Sequence, residues 1–181
     1  MCRRFDSVPG HHKNVINQKL VQVIHIIHTG EDVGTGLNLS QADIDESLVH
    51  LNDAFRATNQ YESTTTDSEI QFALAVRDPN GQPTSGINRL DASQIAGYAA
   101  NGYSDLNSDQ IEQATGWSAS DYVNIWVVND FYEREIAGFA NLANFSGYTA
   151  NSIQNGIRIE AEYLNTIALV HEMGHYLGLY H

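Results

Sequence analysis

The last eleven residues, HEMGHYLGLYH, place the strongest constraint on how this chain can fold. His171 and His175 are four residues apart, so on a helix both imidazoles project from one face. Glu172 is rotated by about 100° from His171 on the same helix. Gly178 permits the positive φ at which a helix ends and the chain turns out of its axis. The pattern therefore predicts a helix followed by a turn that brings His181 to face the two helical histidines.

This spacing is that of a zinc site. Two histidines from one helix and a third beyond its end leave the fourth tetrahedral position for water, as catalytic zinc sites require. Glu172 then lies beside the metal, where it can take a proton from a zinc-bound water. A bare HExxH pattern arises by chance in helices, whereas HExxHxxGxxH is expected in on the order of one in 10⁵ chains of this length. We predict that His171, His175 and His181 bind Zn²⁺ and that Glu172 is the general base.

The charge of the chain limits the classes of partner, and its cysteine content limits the kinds of cross-link and metal site. The formal net charge is −13 with nine Lys and Arg residues, which argues against nucleic acid because phosphate contacts need clustered basic side chains. No apolar run is long enough for a membrane span, and the arginines near the N-terminus precede no apolar stretch of the kind found in signal peptides. The single cysteine, Cys2, excludes an internal disulfide and a cysteine-based zinc cage.

Apolar and β-branched runs predict five strands. They lie near residues 19–30, 69–76, 121–130, 136–142 and 155–160. His25 and His28 fall in the first run, three residues apart, and therefore on opposite faces of a strand. We interpret them as ordinary strand residues and not as metal ligands.

Two long helices are predicted around these strands. The first begins at Ser40, an N-cap residue, and carries apolar residues at helical spacing on one face. The second opens near Asn165 or Thr166 and closes at Gly178. Short helices are expected near 93–100 and 108–114. The whole pattern predicts one three-layer α/β domain.

The terminal motif matches the long zinc signature of the metzincin clan of metalloendopeptidases. The rest of the chain resembles the pappalysin family from about Leu20 onward, in the stretches VQVIHIIHTG, NLSQADIDESLVHLNDAF, DYVNIWVV, GFANL and LGLYH. The resemblance implies a metzincin-like N-terminal subdomain, which is a twisted five-stranded mixed sheet with an antiparallel edge strand, a backing helix and an active-site helix.

The resemblance also assigns roles. It implies that the three histidines are zinc ligands, that Glu172 is the general base and acid, and that the protein acts outside the cell on a peptide or protein substrate. The edge strand would form the upper rim of the cleft and bind an extended peptide by strand addition. It corresponds to Gly138, Phe139, Ala140, Asn141 and Leu142, although the same stretch could simply be a covered edge strand. Some family members bind structural Ca²⁺.

One departure bears on domain organisation. In the clan, a second subdomain with a methionine-containing turn follows the third histidine, and no such segment follows His181 here. We therefore expect residues 1–18 to be an N-terminal extension or propeptide remnant and residues 19–181 to be a metzincin-like catalytic subdomain. Cys2 could act as a latency switch at the zinc, although a lone N-terminal cysteine is usually incidental.

The leading functional interpretation is a zinc-dependent endopeptidase that hydrolyses peptide bonds through a metal-bound water activated by Glu172. The alternative is a catalytically incomplete zinc-binding fragment that acts as a peptide-binding module. A third interpretation, an HExxH peptidase with a distant glutamate as third ligand, is disfavoured by the spacing of Gly178 and His181. The sequence does not indicate an oligomeric state.

Overall fold

The computed structural model describes residues 18–141 and 152–181. Its strands are β1 (Gln18–His28), β2 (Ile70–Leu74), β3 (Ile87–Asp91), β4 (Val123–Val128), β5 (Gly138–Ala140) and β6 (Gly156–Glu160). Its α-helices are α1 (Gln41–Arg56), α2 (Tyr98–Asn101), α3 (Ser108–Thr115) and α4 (Ile167–Tyr176). Short 3₁₀ helices lie at Asn59–Tyr61 and Ala161–Tyr163. The expected extension at residues 1–18 lies, except for Gln18, outside the described range.

All six strands form one mixed sheet with the order β2-β1-β4-β6-β5, and β3 also pairs with β1. β2 pairs with the first half of β1 and β3 with its second half, both in parallel. Because β4 occupies the other side of β1, β2 and β3 follow one another along a single edge. The sheet is therefore five strands wide although it contains six segments. β5 is antiparallel to β6, so the predicted fold class, including its antiparallel edge strand, is confirmed.

The two faces of the sheet carry separate apolar cores, which we call the front and back cores. In β6, Ile157 and Ile159 point into the front core, which α1 and α4 cover with residues such as Leu51 and Met173. The back core lies under α2 and α3 and includes Trp126. The predicted three-layer arrangement follows from this alternation of side chains along the strands.

Helix α1 begins where the sequence predicts. The Ser40 hydroxyl accepts a hydrogen bond from the backbone N–H of Asp43, and the Asp43 carboxylate accepts one from the backbone N–H of Ser40. This reciprocal capping box satisfies two N–H groups that the first turn leaves unpaired. Ile44 and Leu51 then lie fully buried against the sheet. No described helix is long and apolar enough to cross a membrane.

Candidate metal centre and cleft

Helix α4 fixes the direction in which the motif faces. Its first turn is capped by Thr166, whose hydroxyl accepts from the backbone N–H of Ala168 at 3.2 Å. Leu169 and Met173 are buried in the front core. Burial of these residues on one side leaves His171 exposed on the other.

The turn at Gly178 has the geometry that the sequence predicts. Gly178 has a φ of 94°, which lies in the left-handed region that side chains resist. Its N–H donates to the carbonyl of His175 at 2.9 Å, and the N–H of Leu179 donates to the carbonyl of Gly174 at 3.0 Å. These bonds close the helix and carry His181 back toward the two helical histidines.

Three imidazole nitrogens converge as a result. The Nε2 atoms of His171 and His175 are 2.9 Å apart, those of His175 and His181 3.2 Å, and those of His181 and His171 3.0 Å. Nitrogens bound at 2.0–2.1 Å to one tetrahedral zinc are about 3.3 Å apart. The spacing therefore fits three ligands of a single ion.

The protonation of His175 supports this fit. Its Nδ1 lies 2.8 Å from the carbonyl oxygen of Leu179, which can only accept a hydrogen bond. The Nδ1 must therefore carry the proton, and the Nε2 of the neutral ring has a free lone pair directed at the other two rings. This lone pair faces the Nε2 atoms of His171 and His181, so the donor set suits a metal ion.

The clustering of potential metal ligands also bears on calcium. Within residues 18–141 and 152–181, the three histidines are the one group of three or more His, Cys, Asp or Glu side chains that comes together in this way. His25 and His28 are not part of this group. The calcium that the family resemblance suggests has no support in this part of the protein.

Glu172 lies between the histidines and β5. It is 8% exposed, and burial raises the pKa of its carboxyl, while His175, His181 and the backbone of Ala140 act in the opposite direction. A side chain at Gly138 would come within 3.3 Å of Glu172 Cγ and 2.7 Å of the carbonyl oxygen of Arg158. Glycine at position 138 is what lets β5 approach α4 this closely.

A cleft of about 350 Å³ contains these groups. It is lined by Gly138, Phe139, Ala140, His171, Glu172, His175, Tyr180 and His181. Three of the predicted substrate-binding residues therefore lie opposite the histidines. Asn141 does not line the cleft, since its side chain contacts Arg158 on the back face of the sheet. Leu142 lies outside the described residues.

On the other side of the histidines, α4 presents an apolar surface. A groove of about 450 Å³ runs between the end of α1 and α4. Ile167 and Leu179 are 60% and 63% exposed beside it.

Sequence reasoning missed two contributors to the site. The first is the carbonyl of Leu179, because a backbone group that orients a ligand leaves no trace in residue identity. The second is Arg158, which lies under β5 and is 2% exposed. An arginine between the two isoleucines of GIRIE is the signal that could have marked it, since a charged residue in a buried strand needs a partner.

Solved structures of a protease share this architecture. Mature mirolysin from Tannerella forsythia, in complex with a cleaved peptide, is similar with a TM-score of 0.74 and 25% sequence identity, over 91% of this chain and 64% of that chain. Mirolysin in complex with compound 9 gives a TM-score of 0.72 and 24% identity over 91% and 64% of the two chains. A promirolysin mutant from Tannerella forsythia gives the same TM-score and identity, over 91% of this chain and 57% of that one.

These similarities bear on the clan and the family to which the zinc motif points. Mirolysin is a metzincin-type metalloprotease, so the metzincin clan is supported by the fold as well as by the motif, whereas the pappalysin family is not confirmed. The chain spans less than two thirds of the mirolysin chains that it matches. No protein-family model matches the sequence, and no curated protein matches it.

Proposed function

We propose that this protein is a zinc-dependent endopeptidase, with residues 19–181 as its metzincin-like catalytic subdomain. The observation that carries the proposal is the convergence of three Nε2 atoms within 2.9–3.2 Å of one another, with a buried glutamate beside them and an open strand edge opposite. The cleaved peptide in the mirolysin structure supports peptide cleavage as the reaction. Action outside the cell, which the family resemblance implies, is part of this proposal.

His171, His175 and His181 would hold the zinc ion. When bound, zinc polarises the scissile carbonyl and lowers the pKa of water. The protein contributes the ligand geometry, because α4 and the Gly178 turn bring the three rings together. The hydrogen bond from His175 to the Leu179 carbonyl keeps one ligand in its metal-binding tautomer.

Glu172 would carry the proton. Its carboxylate takes a proton from the attacking water and delivers it to the amine of the leaving group. Burial raises the pKa of this carboxyl, whereas His175 and His181 lower it. The position of Glu172 between the histidines and β5 places it next to any carbonyl held on that strand.

The backbone of β5 would hold the peptide. The Ala137 carbonyl accepts from the N–H of Glu160, and the N–H of Asn141 donates to the Gly156 carbonyl, so these alternate residues direct their backbone groups toward β6. Gly138 and Ala140 therefore direct theirs away from β6, toward the cleft. In the described part of the chain this edge has no partner strand, so an extended peptide can add to it.

A pair of glutamate substitutions tests the proposal. Glu172→Gln keeps the shape of the side chain but removes the base, so we expect one zinc per chain and a loss of about 10²–10⁴-fold in cleavage of labelled casein. Glu162→Gln, at an exposed glutamate before α4, is the matched control and should retain wild-type activity. Zinc is measured by elemental analysis. Wild-type turnover in Glu172→Gln would refute the catalytic role.

A ligand substitution completes the test. His175→Ala leaves two imidazoles and should abolish stoichiometric zinc binding, and unchanged zinc content would contradict the ligand assignment.

The alternative function, a peptide-binding module, has a different signature: the zinc-loaded wild-type protein would bind casein peptides in calorimetry without cleaving them.

A further inference from the structure

The strand that faces the metal centre is weakly held by its backbone. β5 is three residues long and pairs with β6 along one edge. A polar cavity of about 170 Å³ lies behind it, lined in part by Phe139, Asn141 and Arg158. Close packing alone does not fix the position of β5, because one side of it borders this cavity.

The guanidinium of Arg158 lies under β5 on the back face of the sheet. Its Nε donates to Glu112 Oε1 at 2.8 Å and to the Tyr103 hydroxyl at 3.3 Å. Its Nη1 donates to the Gly156 carbonyl at 3.1 Å and to Oδ1 of Asn141, the residue that follows β5. A buried ion pair between β6 and α3 is therefore joined directly to the end of the edge strand.

A second contact joins the same guanidinium to β5. Its central carbon lies 5.5 Å from the ring centroid of Phe139 and 4.4 Å from that of Trp126. Phe139 also packs against the ring of Phe131 at 5.4 Å. Arg158 thus contacts both residues of the β5 segment whose side chains point to the back face, Phe139 and Asn141.

The choice of a charged residue here is informative. Burial of an arginine and a glutamate costs free energy that their mutual attraction does not reliably return, and apolar residues often replace such pairs without loss of stability. What an apolar residue cannot supply is a directional fork that hydrogen-bonds several groups at once. The geometry of Arg158 suits positioning better than it suits stability.

We infer that Arg158, held by Glu112, is a positioning residue that fixes β5 against the metal centre through Asn141 and Phe139. This inference rests on the proposed function in one respect, namely that β5 binds the peptide. Because the side chains of Phe139 and Asn141 point away from the cleft face of β5, their effect on a peptide is transmitted through the backbone of Gly138 and Ala140.

Two substitutions at Asn141 separate positioning from general stability. Asn141→Leu removes the acceptor for Arg158, whereas Asn141→Asp keeps it. Asp105→Ala is the control, since it removes an exposed ion pair to Arg134 at the mouth of the same cavity without touching Arg158. Hydrogen exchange is measured for the Glu160 amide, which bonds to Ala137, and for amides of β1 and β4.

We expect exchange at Glu160 to rise at least about tenfold in Asn141→Leu, in line with the loss of a hydrogen bond to a charged group. Exchange in β1 and β4 should stay unchanged, and Asn141→Asp and Asp105→Ala should behave as wild type. No change at Glu160, or an equal rise throughout the sheet, would overturn the inference, because the contact would then be dispensable or merely structural.

The second measurement is the KM for a short peptide substrate, or its Kd if the zinc-loaded wild type binds without turnover. Asn141→Leu should raise this constant about tenfold with little change in kcat, and Asn141→Asp should restore it. Altered exchange with an unchanged constant would overturn the link to peptide binding. If the wild type neither binds nor cleaves peptides, the proposed function fails, while the exchange data still decide whether Arg158 positions β5.

Discussion

Acid should destabilise this protein through His25. This histidine is fully buried on β1, where its Nε2 lies 2.9 Å from Asn124 Oδ1 and its ring stacks on Trp126 at 5.2 Å. Burial lowers the pKa of the imidazole from 6.5 to about 4; the hydrogen bond to Asn124 opposes this shift and the charge of Arg158 adds to it. The folded protein therefore keeps His25 neutral at pH values where the unfolded chain protonates it.

The size of the effect follows from linkage. Between pH 6.5 and about 4 the unfolded chain binds more protons than the folded protein, so the free energy of unfolding falls as the pH falls. The stabilisation is fully present above pH 6.5 and is lost as the pH passes through the folded pKa. The full difference amounts to about 3 kcal/mol, of which about 2 kcal/mol is lost between roughly pH 7 and pH 5.

Urea unfolding followed by tryptophan fluorescence measures this loss. Titrations at pH 7 and pH 5 compare the wild type with His25→Gln, in the presence of EDTA so that metal release does not contribute. Carboxylates titrate in both proteins and cancel in the comparison. The wild type should lose about 2 kcal/mol more than the variant over this range. Equal losses in the two proteins would refute the reasoning.

Four further substitutions have defined outcomes. Glu112→Ala leaves a buried guanidinium without its partner and should lower the free energy of unfolding by about 3–5 kcal/mol in urea titrations. Ser40→Ala removes the α1 cap and should cost about 1 kcal/mol in the same assay. Gly178→Ala forces a side chain into the left-handed region and should cost about 1–2 kcal/mol and weaken zinc binding, measured against a chromophoric chelator. In that assay His181→Ala should lose less affinity than His171→Ala, because the irregular segment after the helix restrains His181 less.

The sequence was most informative where an amphipathic pattern coincides with a residue that caps or ends a helix. Helix α1 could be placed because Ser40 caps an amphipathic run, and α4 because Gly178 ends one. The convergence of the three histidines followed with it, since helical geometry and a single turn determine where they meet. Local sequence patterns suffice for such elements, because every residue that defines them lies within a few helical turns along the chain.

β3 shows where these patterns fail. Its residues INRLD have no alternating apolar pattern, because Ile87 packs in the front core and Leu90, three residues on, in the back core. The polar residues between them make tertiary contacts instead: Asn88 hydrogen-bonds to the Thr115 carbonyl and Arg89 to Asn38. The strand exists because it completes the edge of β1, which no local pattern encodes.

The pairing of Arg158 with Glu112 was equally inaccessible. The two residues are 46 positions apart, on a strand and on a polar helix whose single glutamate looks solvated in the sequence. Only the packing of α3 on the back face reveals that this glutamate is buried. Asn141 was expected on the substrate side for a related reason, since residue order alone does not show which way a side chain at a strand end turns.

The position of β5 in the sheet has a consequence for protein engineering. β4 and β6 are neighbours and parallel, and the chain between them leaves the sheet, forms β5 at the far edge and returns. This excursion contributes to the cleft without separating any two strands of the parallel core. Under the proposed function, loops of altered length or composition grafted between β4 and β6 would present other surfaces to a bound peptide. A graft that retains Phe139 and Asn141 would keep the contacts that this chain makes with Arg158. Libraries of loop variants built around these two residues would then leave the three histidines unchanged.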